Sequence, residues 1–271
     1  MAAMTVRMAI VAVLALCAAM PAQAKEHPAL ARARALYNAA DYDGAIGAAS
    51  MALGDAASAD ASSLVVARSH LERYRLRSDP ADLSMARMAL AMVRAAALAP
   101  RDQVDLLIGL GQALYLGGSY GAASELFDTA LSRGMILNDT DRLRLLDWWA
   151  TAVDRHAQAL SVDSRSATLQ RALARMEDEL RQDPGNPVAN YWLAAASRDS
   201  GDLDRASYAA IAAWVRAPLR PATATALRAD IDRFVTEFLI PERARRRLQR
   251  EQAAALDELR GEWNAVKADW K

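Results

Sequence analysis

The run Leu110-Gly111-Gln112-Ala113-Leu114-Tyr115-Leu116-Gly117-Gly118-Ser119-Tyr120-Gly121-Ala122-Ala123-Ser124-Glu125-Leu126-Phe127-Asp128-Thr129-Ala130-Leu131 holds two helix-forming stretches around a paired glycine. Gly118 allows the turn between them. One such helix pair cannot bury its own apolar face, so it needs neighbours, and copies of it are expected elsewhere in the chain. The composition agrees: 53% hydrophobic residues with few Gly (12) and Pro (9) in 271 residues is that of an all-α protein.

Copies occur at four further places. Residues 39–53 carry Tyr42, Ala45-Ile46, Ala49 and Ala52-Leu53, and a later segment carries Leu193-Ala194, Gly201, Leu203, Ala206, Ala210, Ala213 and Pro218. Ala86 with Leu90 and Val93, and Ala172 with Met176 and Leu180, fill the gaps. The alanines expected at the helix crossings, 45, 86, 123, 172 and 206, are then 41, 37, 49 and 34 residues apart. Ser78-Asp79-Pro80-Ala81-Asp82 is expected as an insertion between the helices of the second unit. The 49-residue interval is assigned to a connection over 134–140 and a long helix over 141–160.

The 110–131 run resembles the tetratricopeptide repeat, and Asp183-Pro184-Gly185-Asn186-Pro187 is similar to the linkers of that family. In the resemblance, Leu110-Gly111 lets two helices approach closely and Tyr120 plugs the gap between them. Ala123 sits at the crossing, while Phe127, Ala130 and Leu131 face the next repeat. The resemblance extends over residues 28–218. It implies an α-solenoid, a right-handed superhelix of about five helix pairs in a repeat domain spanning 25–218. The inner wall is lined by the first helix of each pair and grips an extended peptide or a partner helix. In that register the groove residues are Arg34 and Asn38 in the first unit, Gln112 and Tyr115 in the third, and Tyr191 and Arg198 in the fifth. Trp148 and Trp149 are adjacent on the long helix of the fourth unit and point about 100° apart, so at most one belongs to the core. Trp148 is the groove candidate.

Residues 219–271 depart from the repeat and read as a helical cap. A helix is expected from Arg220 to Phe238 and another from Pro241, since proline favours the first helical turn. Leu248, Gln252, Ala255, Leu259, Trp263, Val266 and Trp270 then follow in steps of three and four, an apolar stripe with one polar exception. This stripe packs as a cap on the last repeat or docks a partner through Leu248, Leu259, Trp263 and Trp270. Before it, Glu242-Arg243-Ala244-Arg245-Arg246-Arg247-Leu248-Gln249-Arg250-Glu251 reads as a solvated face part-neutralised by its acids, or as a grip on a phosphate-rich surface such as lipid headgroups.

The first 24 residues read as a secretory signal. Arg7 precedes the apolar run Met8 to Met20, Pro21 breaks it, and Ala22-Gln23-Ala24 is a small-residue cleavage site. Cleavage after Ala24 removes the only cysteine, Cys17; lipidation there is disfavoured because Leu16 before it is not small. The whole chain balances 33 basic against 33 acidic residues, which gives no field for nucleic acid. His27, His70 and His156 form no metal-binding spacing, and no nucleophile, phosphate-loop or dinucleotide motif occurs. The expectation is a periplasmic scaffold for protein partners of the cell envelope, with no catalytic residue, metal or cofactor. The alternative is a solute-binding accessory of an envelope transporter.

Overall fold

The computed structural model describes residues 26–133 and 136–271, and every regular element among them is helical. The expected signal segment, with Cys17 and Ala24, lies outside these residues. The helices are α1 (Pro28–Asn38), α2 (Tyr42–Ser50), α3 (Ala59–Arg77), α4 (Pro80–Ala91), α5 (Pro100–Leu116), α6 (Tyr120–Ser132), α7 (Asp139–Gln158), α8 (Val162–Gln182), α9 (Pro187–Asp199), α10 (Leu203–Arg216), α11 (Pro221–Arg233), α12 (Ile240–Arg245) and α13 (Gln252–Asp269). No helix among the described residues is long and apolar enough to cross a membrane.

Local chemistry sets most helix starts. Proline occupies the first turn of α1, α4, α5, α9 and α11, where its missing N–H costs nothing. Asp41, Asp79, Asn138, Asn186 and Asp202 each accept a backbone N–H of the first turn that follows, between 2.8 and 3.0 Å. Packing follows chain order: each helix from α1 to α10 rests on the next, and α1/α3, α3/α5 and α7/α9 also touch.

Three of the five pairs turn by the same device. Ala40, Gly118 and Gly201 hold φ of 61°, 83° and 89° between their helices. In each turn three successive N–H groups donate back into the first helix: Ala39, Ala40 and Asp41 to the carbonyls of Ala35, Tyr37 and Leu36; Gly117, Gly118 and Ser119 to Ala113, Tyr115 and Leu114; Ser200, Gly201 and Asp202 to Ala196, Arg198 and Ser197. Five residues beyond each positive φ stands a crossing alanine, Ala45, Ala123 or Ala206, each 0% exposed. Ala86 and Ala172 occupy the other two pairs at 0% and 8%. The tyrosine pairs Tyr37/Tyr42 and Tyr115/Tyr120 repeat as well, edge to face at 5.7 and 5.2 Å.

The same alignment shows a volume exchange. Seven residues before the turn stand Ala33, Gly111 and Ala194; nine residues after it stand Ala49, Phe127 and Ala210, all deeply buried or, for Gly111, in the helix interface. A Cβ on Gly111 would lie 2.5 Å from the Phe127 ring. The third pair thus fills with one large ring and one glycine the space that two alanines fill in the first and fifth pairs.

Three expectations need correction. Ser78-Asp79 is a two-residue turn with Ser78 at φ 55°, and Pro80 already begins α4, so the longer second unit comes from the 19-residue α3 and the loop before it. The long helix expected over 141–160 is found as the 20-residue α7, but it starts two residues earlier because Asn138 caps it, and the 49-residue interval also takes in half of the 21-residue α8. Pro241 does not restart a helix. Residues 221–245 run without a break through a π-helical stretch, Phe234–Leu239, in which the Ile240 N–H reaches back five residues to Val235. The wider turn takes up the strain that a proline ring imposes on the preceding coil.

The carboxy-terminal helix packs back on the chain. Ala255, Leu259 and Trp263 are buried against α10 and residues 235–240, while Leu248 (60%) and Trp270 (53%) are exposed. The Trp263 ring meets Trp214 at 5.4 Å, and its Nε1 donates to Asp232, which also accepts from Lys267. Trp214 and Arg228 both donate to the backbone carbonyl of Trp270. The expected stripe is therefore an inward-packed face with its two ends left free. Leu248 falls off it because its backbone is extended, ahead of a short 3-10 turn.

Candidate functional site

The first helices of four successive pairs, α1, α3, α5 and α7, each turn one polar stripe towards a common groove of about 740 Å³. Helical spacing supplies the stripes: Arg34, Tyr37 and Asn38 from α1; Val65, Arg68, Glu72 and Arg75 from α3; Asp102, Asp105, Ile108 and Gln112 from α5; Asp141, Arg144 and Trp148 from α7.

Charge is paired across the groove wall. Arg34 grips Asp102 through two bonds of 2.9 and 3.0 Å, a fork that joins α1 to α5 over α3. Hydrogen bonding to Asp102 raises the Arg34 pKa further above its ordinary value. Arg68 lies over the Tyr37 ring at 4.7 Å and reaches Asp105 at 3.1 Å. Arg101 links Asp105 to Asp141, at 3.4 and 2.7 Å. Arg75 sits over the Trp148 ring at 5.5 Å. Asp105 is 5% exposed, and while its Oδ2 takes both arginines, its Oδ1 is buried with no hydrogen-bond partner among the described residues.

Four of the residues read from the sequence, Arg34, Asn38, Gln112 and Trp148, line this groove together. Tyr115 stands beside it, its ring 5.0 Å from Trp148. Trp149 is core, 1% exposed, with Arg171 and Arg175 on its ring. Tyr191 and Arg198 lie elsewhere: Tyr191 meets Phe234 at 5.9 Å, and Arg198 pairs with Glu242 and covers the Phe238 ring at 5.3 Å. The helix after Arg220 takes both. Arg68, Arg75, Arg101 and Asp105 were absent from the sequence reading. The signal for the carboxylate was Asp102 and Asp105, one turn apart with Gln112 on the same face of a helix.

Other carboxyls are less well compensated. Partial burial raises Asp154; Asp147 and Asp199 shift the same way through crowding by neighbouring atoms, although both are exposed and Asp147 accepts from Trp192 Nε1 at 2.8 Å while Asp199 pairs with Arg198 at 3.0 Å. Tyr191 is pushed up to about 12, first by burial and then by Asp230 and Asp147. A carboxyl raised in the fold favours its neutral form there, so its contribution to stability is full below the ordinary carboxylate range and is lost as pH climbs through the raised value. Converting Asp154, the half-buried one of the three, to Asn is therefore expected to raise thermal stability slightly at pH 7 and to leave it unchanged below the ordinary Asp value of about 3.9. A loss of stability at pH 7 would refute this sign.

Among the described residues no group of His, Cys, Asp or Glu is placed to hold a metal ion. Three comparisons with known proteins returned nothing: no family model matches the chain, nor does any curated protein or solved structure.

Proposed function

We propose that the chain is an exported tetratricopeptide-like scaffold of the cell envelope, whose stacked helix pairs form a right-handed superhelix that grips a protein partner in the groove between α1, α3, α5 and α7. The observation that carries this reading is the groove itself. It joins four helices in one polar cleft whose lining includes the carboxylates of Asp102, Asp105 and Asp141 and the aromatic ring of Trp148. With neighbouring helices roughly 9 Å apart, four of them span about 27 Å, the length of roughly eight extended residues. The reading needs no chemistry from the chain; it is a binding role.

A solute-binding role needs a closed apolar pocket of some hundreds of Å³. The apolar crevices beside Trp149 and beneath α13 measure only about 20 and 50 Å³, which favours the scaffold.

The test uses the full chain as bait for envelope proteins, followed by calorimetric titration of the captured protein. Trp148→Ala is expected to weaken binding by about thirtyfold, the loss typical of a central aromatic anchor. Gln112→Ala should weaken it with little change in melting temperature, whereas Asp105→Asn, which leaves Arg68 and Arg101 facing a neutral group, is expected to lower both binding and melting temperature. Capture that survives all three substitutions would remove the groove from consideration.

A further inference from the structure

The corner between α12 and α13 is the most strongly basic exposed part of the described chain. Residues 245–251 are all exposed. The acids that the sequence sets beside them are largely engaged elsewhere or spent on one neighbour: Glu242 pairs with Arg198, and Glu251 faces Arg250 alone, at 3.6 Å. Arg243 approaches Asp204 at 3.9 Å, and Arg246 donates to the Gly201 carbonyl. Arg245 and Arg247 make no ion pair among the described residues. Between these arginines Leu248 stands out, 60% exposed on an extended backbone.

We propose that this corner docks the protein on a membrane surface of anionic phospholipid, with Arg245, Arg246, Arg247 and Arg250 on the headgroup phosphates and Leu248 in the acyl boundary. Guanidinium groups match phosphate oxygens with a planar fork and shed their water more readily than ammonium groups do. A leucine flanked by cations puts apolar area at the depth where headgroup and chain meet. No aromatic ring lies among residues 243–251, so base stacking, which single-stranded nucleic acid needs, has no platform here. The balanced charge of the whole chain makes the effect local. It stands independently of the groove.

The test is co-sedimentation of the full chain with unilamellar vesicles of phosphatidylcholine, pure or doped with phosphatidylglycerol. Binding is expected to the doped vesicles alone and to fall as salt is raised. Each arginine near an anionic surface contributes about fivefold, so Arg245→Gln/Arg247→Gln should weaken partitioning by about twenty-five-fold. Leu248→Ser should weaken it by about fivefold through lost apolar contact. Arg32→Gln/Arg133→Gln, which removes two exposed arginines elsewhere, should leave it unchanged. All these positions are exposed, so folding is not at stake. Failure to bind doped vesicles at low salt overturns the proposal, as does equal sensitivity to the control pair. Binding to DNA or to an acidic peptide without binding to vesicles also overturns it.

Discussion

Gly111→Ala is expected to lower stability by about 2–3 kcal/mol, because the added methyl would stand 2.5 Å from the ring of Phe127, which is 0% exposed and cannot withdraw. For a chain of this size that is a fall in melting temperature of roughly 4–12 °C. The decisive measurement is a double-mutant cycle by urea unfolding. Phe127→Ala alone should cost about 3–5 kcal/mol through the cavity it leaves. Adding Gly111→Ala to that variant should cost almost nothing, since Ala opposite Ala is the arrangement of Ala33 with Ala49 and of Ala194 with Ala210 in the sister pairs. Additive losses would mean that the glycine serves some need other than room for the ring.

The two adjacent tryptophans should separate in the same assay. Trp149→Ala is expected to cost about 4 kcal/mol, as the ring is 1% exposed and holds the guanidinium groups of Arg171 and Arg175 at 6.0 and 5.7 Å. Trp148→Ala should cost only about 1 kcal/mol, because its ring is half-buried at the groove, against Tyr115 and Arg75. Its larger effect falls on binding. Equal losses of stability would show that Trp148 is a core residue and take the anchor out of the groove.

Much of this architecture is legible in the sequence because the small residues that let two helices cross closely recur along it. The five alanines and the run 110–131 carried the pairing for that reason. The groove was legible through α1, α5 and α7, where polar residues recur on one face. On α3 it was not. That helix is packed by α1, α2, α4 and α5, and it buries Asp60, Ser62, Ser63, Ser69 and His70 among its apolar residues, so no single polar stripe stands out. His70 illustrates the point: its ring bonds to Asp82, twelve residues away and itself 2% exposed. Ala40 gave no hint of its turn, since alanine holds positive φ there at a cost of about 1–2 kcal/mol that neighbouring bonds offset. Tyr191 and Arg198 follow the helical register correctly. What covers them, Phe234 and Glu242, comes from a later helix and a π stretch that no local pattern announces.

In a molecule whose elements touch mainly their sequence neighbours, each couple is held only by the couples beside it. The Arg34–Asp102 fork passes over the whole second couple and ties α1 to the third. Detaching α1 therefore also breaks a tether anchored far along the chain, which adds a coupling between couples that are not neighbours.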